Sequence, residues 1–541
     1  MSNEPRHAMT RPKARLAITV LTILLAMAAC LGLAACSVGD GASGAGGDDQ
    51  ARSGEEKVLN AGSTTYFYAE SMDPASEWDS WYLSYYGIME NLFKVSDDLT
   101  PEPWLAEDAA SDDGRAWTVT IKEGITFTNG EPVDAAAVKV AWERTYAENP
   151  RAKETLAIES MEADGQTLTV TTEKEVPDFR NALCDPLLCV YYVGDDVDYA
   201  EDTPGTGPYV KEEFVPEDHI TMVPNERYWN GAPKLDRVSL YSFTDDNNLT
   251  MAMQNGEIDA VAMPSASTRS ILSGDGFQVF TRTTSRADFI RMNMESPMMG
   301  NLAIRTAVAF CIDRDGYSDV ICQGSAVPSW GVYSDTLPFG GTEGLTLDVS
   351  EFSVDKAKAV LDEAGITDGD GDGVRELDGD PVRIDLYTCT SYERFVLLAD
   401  DLQSKLAQAG IELEVVPVDY FIEDAETFDR DDPDMCLNSN AMAPTGNQAY
   451  FASQQFATDG SSNLGHYSNA TVDELVARLE GTMGFDERNE LARQIAQQVL
   501  DDQSFVFFAN PEACVIARDG VSGLDASPSE YYFVTVDTDV E

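Results

Sequence analysis

Only three of the 541 residues are histidine, and beyond His7 just His219 and His466 remain. A His-centred catalytic site or a His-rich metal site therefore has little material to work with. Neither a Gly-x-Ser-x-Gly elbow nor a His-Glu-x-x-His pair occurs, so an extracellular hydrolase, the main rival from another class, finds no motif. Cysteines 184, 189, 311, 322, 389, 436 and 514 follow Cys36, and no pair among them has zinc-site spacing. In an exported protein they can make up to three disulfides, with Cys184–Cys189 and Cys311–Cys322 near enough in sequence to close small loops. Positive charge is scarce too: 36 basic against 95 acidic residues leave a formal charge of −59, which excludes nucleic acid as a partner. That charge suits a soluble body held off an anionic membrane and favours cationic or zwitterionic ligands at long range, or it is simply a solvated surface. No repeat of fixed period is present.

The amino terminus carries the sharpest local signal. Arg6, Arg11, Lys13 and Arg15 precede an apolar stretch from Leu16 to Leu33 that ends in Leu33-Ala34-Ala35-Cys36. Basic region, hydrophobic region and small-residue cleavage site in that order read as a signal peptide over residues 1–35. The tetrapeptide resembles the bacterial lipobox, which implies that Cys36 is lipidated and anchors the protein to the outer face of a bacterial cell membrane. An uncleaved membrane anchor is the alternative, since roughly 18 apolar residues can just span a bilayer. Cys30, after Met27-Ala28-Ala29, is a second acceptor without the leading Leu. Residues 36–56 are rich in Gly, Ser, Ala and Asp and read as a flexible tether. The body of the chain, from residue 57 onward, exceeds the roughly 250 to 300 residues at which one core stops growing, so two or more lobes are expected.

Strand and helix patterns interleave along that body, giving an α/β reading. Ala116 to Ile121 and Gln166 to Thr171 alternate as half-buried strands. Ser353 is placed to cap a helix with Ala357, Val360, Leu361 and Ala364 on its apolar face and Gly365 at its end. Thr471 with Glu474 reads as a capping box ahead of Leu475, Val476 and Leu479. Leu491, Ile495 and Val499 line another helix, and Phe505 to Phe508 come next as a buried strand. Gly205-Thr206-Gly207-Pro208-Tyr209 reads as a tight turn with both glycines free to take positive φ. Aromatic residues gather at Tyr66, Phe67, Tyr68, Trp78, Trp81, Tyr82, Tyr85 and Tyr86, enough to line a cleft.

Several segments in order resemble the family 5 extracellular solute-binding proteins, the oligopeptide, dipeptide and nickel binders of ABC importers. They include Met72-Asp73-Pro74, Ile88 to Phe93, Leu99 to Glu107, and Ile121-Lys122-Glu123-Gly124-Ile125-Thr126-Phe127-Thr128-Asn129-Gly130-Glu131-Pro132. Gly205 to Tyr209, Pro224 to Trp229, Gly256 to Asp259 and Arg305 to Arg314 continue the series, which runs over residues 58–510. The resemblance implies no enzyme. It implies a periplasmic-binding-protein-like fold of type II, cluster C, with two main lobes, a hinge and an inserted small domain. Lobe I would comprise 57–95, 204–299 and 509–541, the small domain 96–203, and the large lobe 300–508. A peptide or peptide-like solute would lie between the lobes of a monomer, and closure around it would be read by the ABC permease. The rival readings keep the fold and change the ligand or role: a metal chelate, a sugar, a modified amino acid, or a sensory or adhesion lipoprotein.

The resemblance points to Thr64–Tyr68 and Asn438–Met442 as strands flanking the guest, with Tyr66, Phe67, Tyr68, Asn438, Asn440 and Met442 as ligand contacts. Peptide-binding relatives carry an Asp for the guest's amine in the stretch matching residues 434–445, and that Asp is missing here. An N-blocked or modified peptide, or a non-peptide solute, is therefore weighed beside ordinary peptides. No cofactor is implied. A structural calcium is the one ion with a candidate loop, Asp368, Asp370, Asp372 and Glu376, whose alternating carboxylates resemble the first half of an EF-hand, although position twelve is Gly379.

Overall fold

The structure is a computed structural model and describes residues 56–65 and 67–541. Among them no helix is long and apolar enough to cross a membrane. The first strand, β1 (Val58–Ser63), leads to the short helix α1 (Asp79–Tyr85). The chain then builds a separate four-stranded antiparallel sheet from β2 (Ala106–Ala110), β3 (Ala116–Ile121), β4 (Ile158–Asp164) and β5 (Thr167–Thr172), ordered β2-β3-β5-β4. Helix α2 (Ala135–Glu148) packs on it, capped by Asp134, whose carboxylate accepts the Ala137 N–H, with Val138 and Trp142 buried beneath.

The chain returns through β6 (Tyr209–Val215), β7 (His219–Pro224), β8 (Arg237–Ser242), β9 (Ala260–Ala262) and β10 (Phe277–Thr283). After Thr284-Ser285 come β11 (Arg286–Met292), helix α3 (Leu302–Phe310), β12 (Ala326–Pro328) and helix α4 (Val354–Glu363). Strand β13 (Arg383–Cys389), helix α5 (Glu393–Ala409), β14 (Glu412–Val418) and β15 (Met435–Ala441) come next. Helices α6 (Ala470–Gly481) and α7 (Phe485–Asp502) then lead to β16 (Phe505–Arg518).

One 12-stranded mixed sheet runs β14-β13-β15-β11-β16-β9-β1-β8-β7-β6, with β10 and β12 also paired to β16. Its two ends pack separate cores. Leu59, Leu240 and Tyr209 belong to one, and Ile290, Leu386, Leu402 and Phe508 to the other. A third core joins Trp117 and Phe179 of the small domain to Phe451, Leu475 and Ile495.

Strand β16 is the shared member. Its first residues pair with β11 (Phe289 opposite Phe507), while residues 512–518 pair with β10 and residues 515–517 with β9. The chain crosses between the two halves at Thr284-Ser285 and again at Asn510-Pro511, and the crossings are stitched together. The Thr284 N–H and hydroxyl both donate to Pro511 O at 3.1 and 2.8 Å, and the Asn510 amide donates to Arg286 O at 2.9 Å. Proline at 511 withholds a ladder donor, which suits a point where the strand changes partners. Although β11 lies before the boundary at 299/300 drawn from the sequence, it pairs with β15 and the first half of β16.

Local expectations from sequence meet the structure at several points. Ser353 accepts the Lys356 N–H and caps α4, Ala357 and Leu361 are buried, and Gly365 sits just beyond at φ +75°. Helix α6 starts one residue before Thr471 because Asn469 takes the cap, accepting the N–H groups of Thr471 and Val472. Gly205 and Gly207 do not adopt positive φ. They are needed for a different reason: a Cβ on Gly205 would run into Ile88 O, and one on Gly207 into Gly87 O. The close approach is held by Gly207 N–H donating to Ile88 O at 3.0 Å and by the Asn225 amide donating to Gly207 O at 2.8 Å. Beside it the Glu90 carboxylate is fully buried, accepting from the Tyr228 hydroxyl at 2.7 Å and Trp229 Nε1 at 2.9 Å, and burial pushes its pKa up to about 7.

Replacing Gly207 by Ala is expected to cost about 1–3 kcal/mol, the usual penalty for overpacking. Urea unfolding should show a lower midpoint with an unchanged slope; an unaltered midpoint would mean that the backbone gives way freely at this crossing.

Candidate ligand-binding site

A cleft of about 860 Å³ opens where α1, the small domain, the Arg286 end of β11 and the segment after β15 meet. Its first wall is α1. The Asp79 carboxylate at the start of that helix is buried and accepts the N–H groups of Glu70 and Ser71 at 2.9 and 3.0 Å and the Ser71 hydroxyl at 2.7 Å. Burial raises its pKa. This fixes α1 with Leu83 and Tyr85 in the lobe core and Trp81 and Tyr82 on the cleft, the latter pair stacked at 5.8 Å. Trp81 Nε1 donates to Glu530 O at 2.6 Å.

Charges of both signs line the walls. The Arg151 guanidinium, from the small domain, lies 3.5 Å above the Trp78 ring and donates to Glu77 O. Near it Asp185 caps the turn 186–188 by accepting the Leu187 N–H at 2.9 Å; burial raises its pKa, against the opposing pull of Arg151. Arg286, the first residue past the Thr284-Ser285 crossing, donates to Ser439 O at 3.1 Å and to Glu530 Oε2 at 3.0 Å. Glu530 belongs to the carboxyl-terminal segment and holds φ +61°, so a strained backbone presents the acid that meets Arg286.

The far wall is the end of β15. Ser439, Asn440 and Ala441 line the cleft, and β15 pairs with β13 only at Met435 and Cys436, so no strand pairs with its outer edge beyond Cys436 among the described residues. Contacts from the small domain close over this side: the Asn181 amide donates to Thr445 O at 2.6 Å, Lys174 meets Glu480 at 3.0 Å, and Arg488 meets Asp178 at 3.6 Å.

Of the ligand contacts expected from the sequence, Asn440 lines this cleft. Phe67 is in the lobe core, 6.1 Å from the Tyr85 ring and 5.6 Å from that of Phe533. The Tyr68 hydroxyl donates to Phe243 O at 2.9 Å. Asn438 is buried on β15 opposite Phe289, and Met442 is fully buried in the core. Tyr66 and Cys36 lie outside the described residues. Strand β1 ends at Ser63, so Thr64 to Tyr68 form no paired strand among the described residues. The sequence reading missed Arg151, Arg286 and Glu530; in a chain with 95 acids, neither the cations nor the acid stood out.

The seven cysteines 184 to 514 are buried free thiols, so neither proposed pair is closed. Cys184 packs in the core shared with the small domain and Cys189 in the lobe core, which separates their side chains. In the acidic loop the carboxylate oxygens of Asp368, Asp370, Asp372 and Glu376 lie within 4.8 Å of one another. Backbone N–H groups already occupy part of their capacity: Gly371 and Gly373 on Asp368, Asp372 on Asp370, Val374 on Asp372 and Gly369 on Glu376.

Residues 100–463 match the family model described as bacterial extracellular solute-binding proteins, family 5 Middle. The nickel-binding protein NikA of Staphylococcus aureus is 27% identical over 458 residues, covering 84% of this chain and 89% of the relative. The dipeptide-binding protein DppE of Bacillus subtilis is 24% identical over 528 residues, 90% of this chain and 93% of the relative. A crystal structure of the Staphylococcus aureus NikA in complex with Ni(L-His)2 superposes with a TM-score of 0.73 at 25% identity, covering 90% of this chain and all of that one.

Proposed function

Because this chain belongs to the bacterial extracellular solute-binding proteins of family 5, the extracytoplasmic binding components of ABC importers and not enzymes, we propose that its cleft captures a peptide-like zwitterion for its permease. The observation that carries the reading is the cleft itself: Arg151 and Arg286 beside Asp185 and Glu530, under an aromatic wall, along the unpaired edge of β15. Backbone groups on such an edge pair with an extended guest whatever its side chains. Asp185 is our candidate for the amine-binding acid, because the family's Asp position within residues 434–445 holds no Asp here. We place the hinge of this capture at the two stitched crossings, with β11 in the large lobe.

A nickel complex is the second reading, supported by the likeness to NikA. The described lining holds no His, Cys or Met. A metal would thus arrive inside its own chelate, again a compact solute with carboxylate and amine ends.

Calorimetry with short peptides, their N-acetylated counterparts and a nickel–histidine mixture tests both. We expect binding of free-amine peptides that acetylation weakens at least tenfold, about 1.4 kcal/mol. Trp78→Ala and Arg151→Ala should each weaken it by a similar factor. Equal binding of acetylated peptides would remove Asp185 from its role, and binding of the nickel mixture alone would select the second reading.

We further propose that Cys36 carries the lipid that tethers the body to the membrane. Cys36→Ser should shift the protein from the membrane fraction to the medium; a variant that stays membrane-bound would overturn this. For the loop at 368–376 we propose a weak calcium site. Calcium added to chelator-treated protein should then raise the thermal midpoint in a concentration-dependent way, and an unmoved midpoint would leave a plain hairpin.

A further inference from the structure

A second cavity, of about 650 Å³, opens at the carboxyl-terminal end of α1 beyond Tyr82 and shares no lining residue with the cleft. Trp81 and Tyr82 of α1 face the cleft, whereas Ser84 faces the second cavity. The carboxyl-terminal segment divides in the same way, with Glu530 and Tyr531 lining the cleft and Tyr532 to Asp537 the cavity. The volume falls within the range of small-molecule sites.

Three features of its lining point to one ligand chemistry. The first is polar capacity that the protein leaves unused. Ser84 is 3% exposed, and its hydroxyl oxygen has no hydrogen-bond partner. A buried hydroxyl left so costs about 1–3 kcal/mol, and a guest that bonds to it recovers that loss. Glu90, also on the lining, is fully buried and receives donors from Tyr228 and Trp229, with the Thr206 hydroxyl beside them and the Lys122 charge nearby. A carboxylate offers about four acceptor sites, so roughly one remains.

The second feature is aromatic. The rings of Trp104 and Tyr532 stand perpendicular, 5.5 Å apart, and form a corner in the lining beside Tyr228. The Tyr532 hydroxyl is held in place by accepting the Val95 N–H at 3.1 Å. Aromatic faces attract organic cations, most strongly where water is excluded. The third feature is the charge around the opening. Asp97, Asp98, Glu102, Asp525 and Asp537 line it, and Lys94, the lining's cation, lies 3.8 Å from Glu102. Such a field raises the local concentration of cations.

We infer that this cavity is a second binding site, distinct from the transport cleft, that takes a small organic ammonium ion between Glu90, Ser84 and the Trp104–Tyr532 corner. One buried carboxylate and one hydroxyl are too few oxygens for calcium, which takes six to eight. The aromatic corner has a use only if the cation carries carbon.

Calorimetry on the full chain with choline and, separately, cadaverine as probes tests the assignment, with sodium chloride as the ionic-strength control. Saturable binding of either probe at or below millimolar concentration is expected. Glu90→Gln and Trp104→Ala should each weaken it at least tenfold, and Ser84→Ala by a smaller factor. Trp78→Ala, in the cleft, should leave it unchanged. Trp104 is only partly buried, so its replacement keeps the test open should Glu90→Gln fail to fold. Absence of saturable binding by both probes, binding indifferent to the cavity variants, or binding lost in Trp78→Ala would each overturn the assignment. Because the cleft variant is scored separately, failure here is distinguishable from failure of the transport reading.

Discussion

Strand β16 passes through both halves of the sheet, and most of what the molecule does depends on that sharing. Its first residues are locked between hydrophobic neighbours of the large lobe and its last residues between those of the first lobe. A second crossing at Thr284-Ser285 lies alongside, bonded to Pro511 and Asn510. Two short connections held side by side allow rotation about one line and resist sliding, the geometry of a hinge. Arg286 is the first residue beyond that line, and it reaches back to Glu530 at 3.0 Å. The two crossings and the cleft are therefore built from adjacent residues.

The signals legible in the sequence were those whose cause is local. The Ser353 cap depends on four consecutive residues and is present as read. The cap of α6 was misplaced by two residues because Asn469 competes with Thr471 for the same orphan donors and engages two of them. At Gly205 and Gly207 the sequence showed that glycine was needed and hid why. The reason lies in Gly87 and Ile88, more than a hundred residues earlier, and no turn preference encodes it.

The site was less legible for the same reason. Arg151, Asp185, Arg286, Asn440 and Glu530 meet only after the small domain, the hinge and the carboxyl-terminal segment have come together. The aromatic cluster near the amino terminus was visible, but its division was not. Trp78, Trp81 and Tyr82 face the cleft, whereas Phe67 and Tyr85 fill the core behind them, and α1's orientation, set by Asp79, makes that choice. Family resemblance supplied the fold, while the positions of individual contacts depended on packing between segments far apart in the chain.

The shared strand also governs the order in which the molecule can come into being. Neither half completes its sheet until residues 505–518 are in place, because β9 and β11 each need β16 as a neighbour. A chain emerging from its amino terminus must therefore carry two incomplete sheets, with edges exposed, until nearly the last of its 541 residues is available. Folding is in this sense deferred to the end of synthesis. A truncation that removes residues 505–518 takes a neighbour from both halves of the sheet at once.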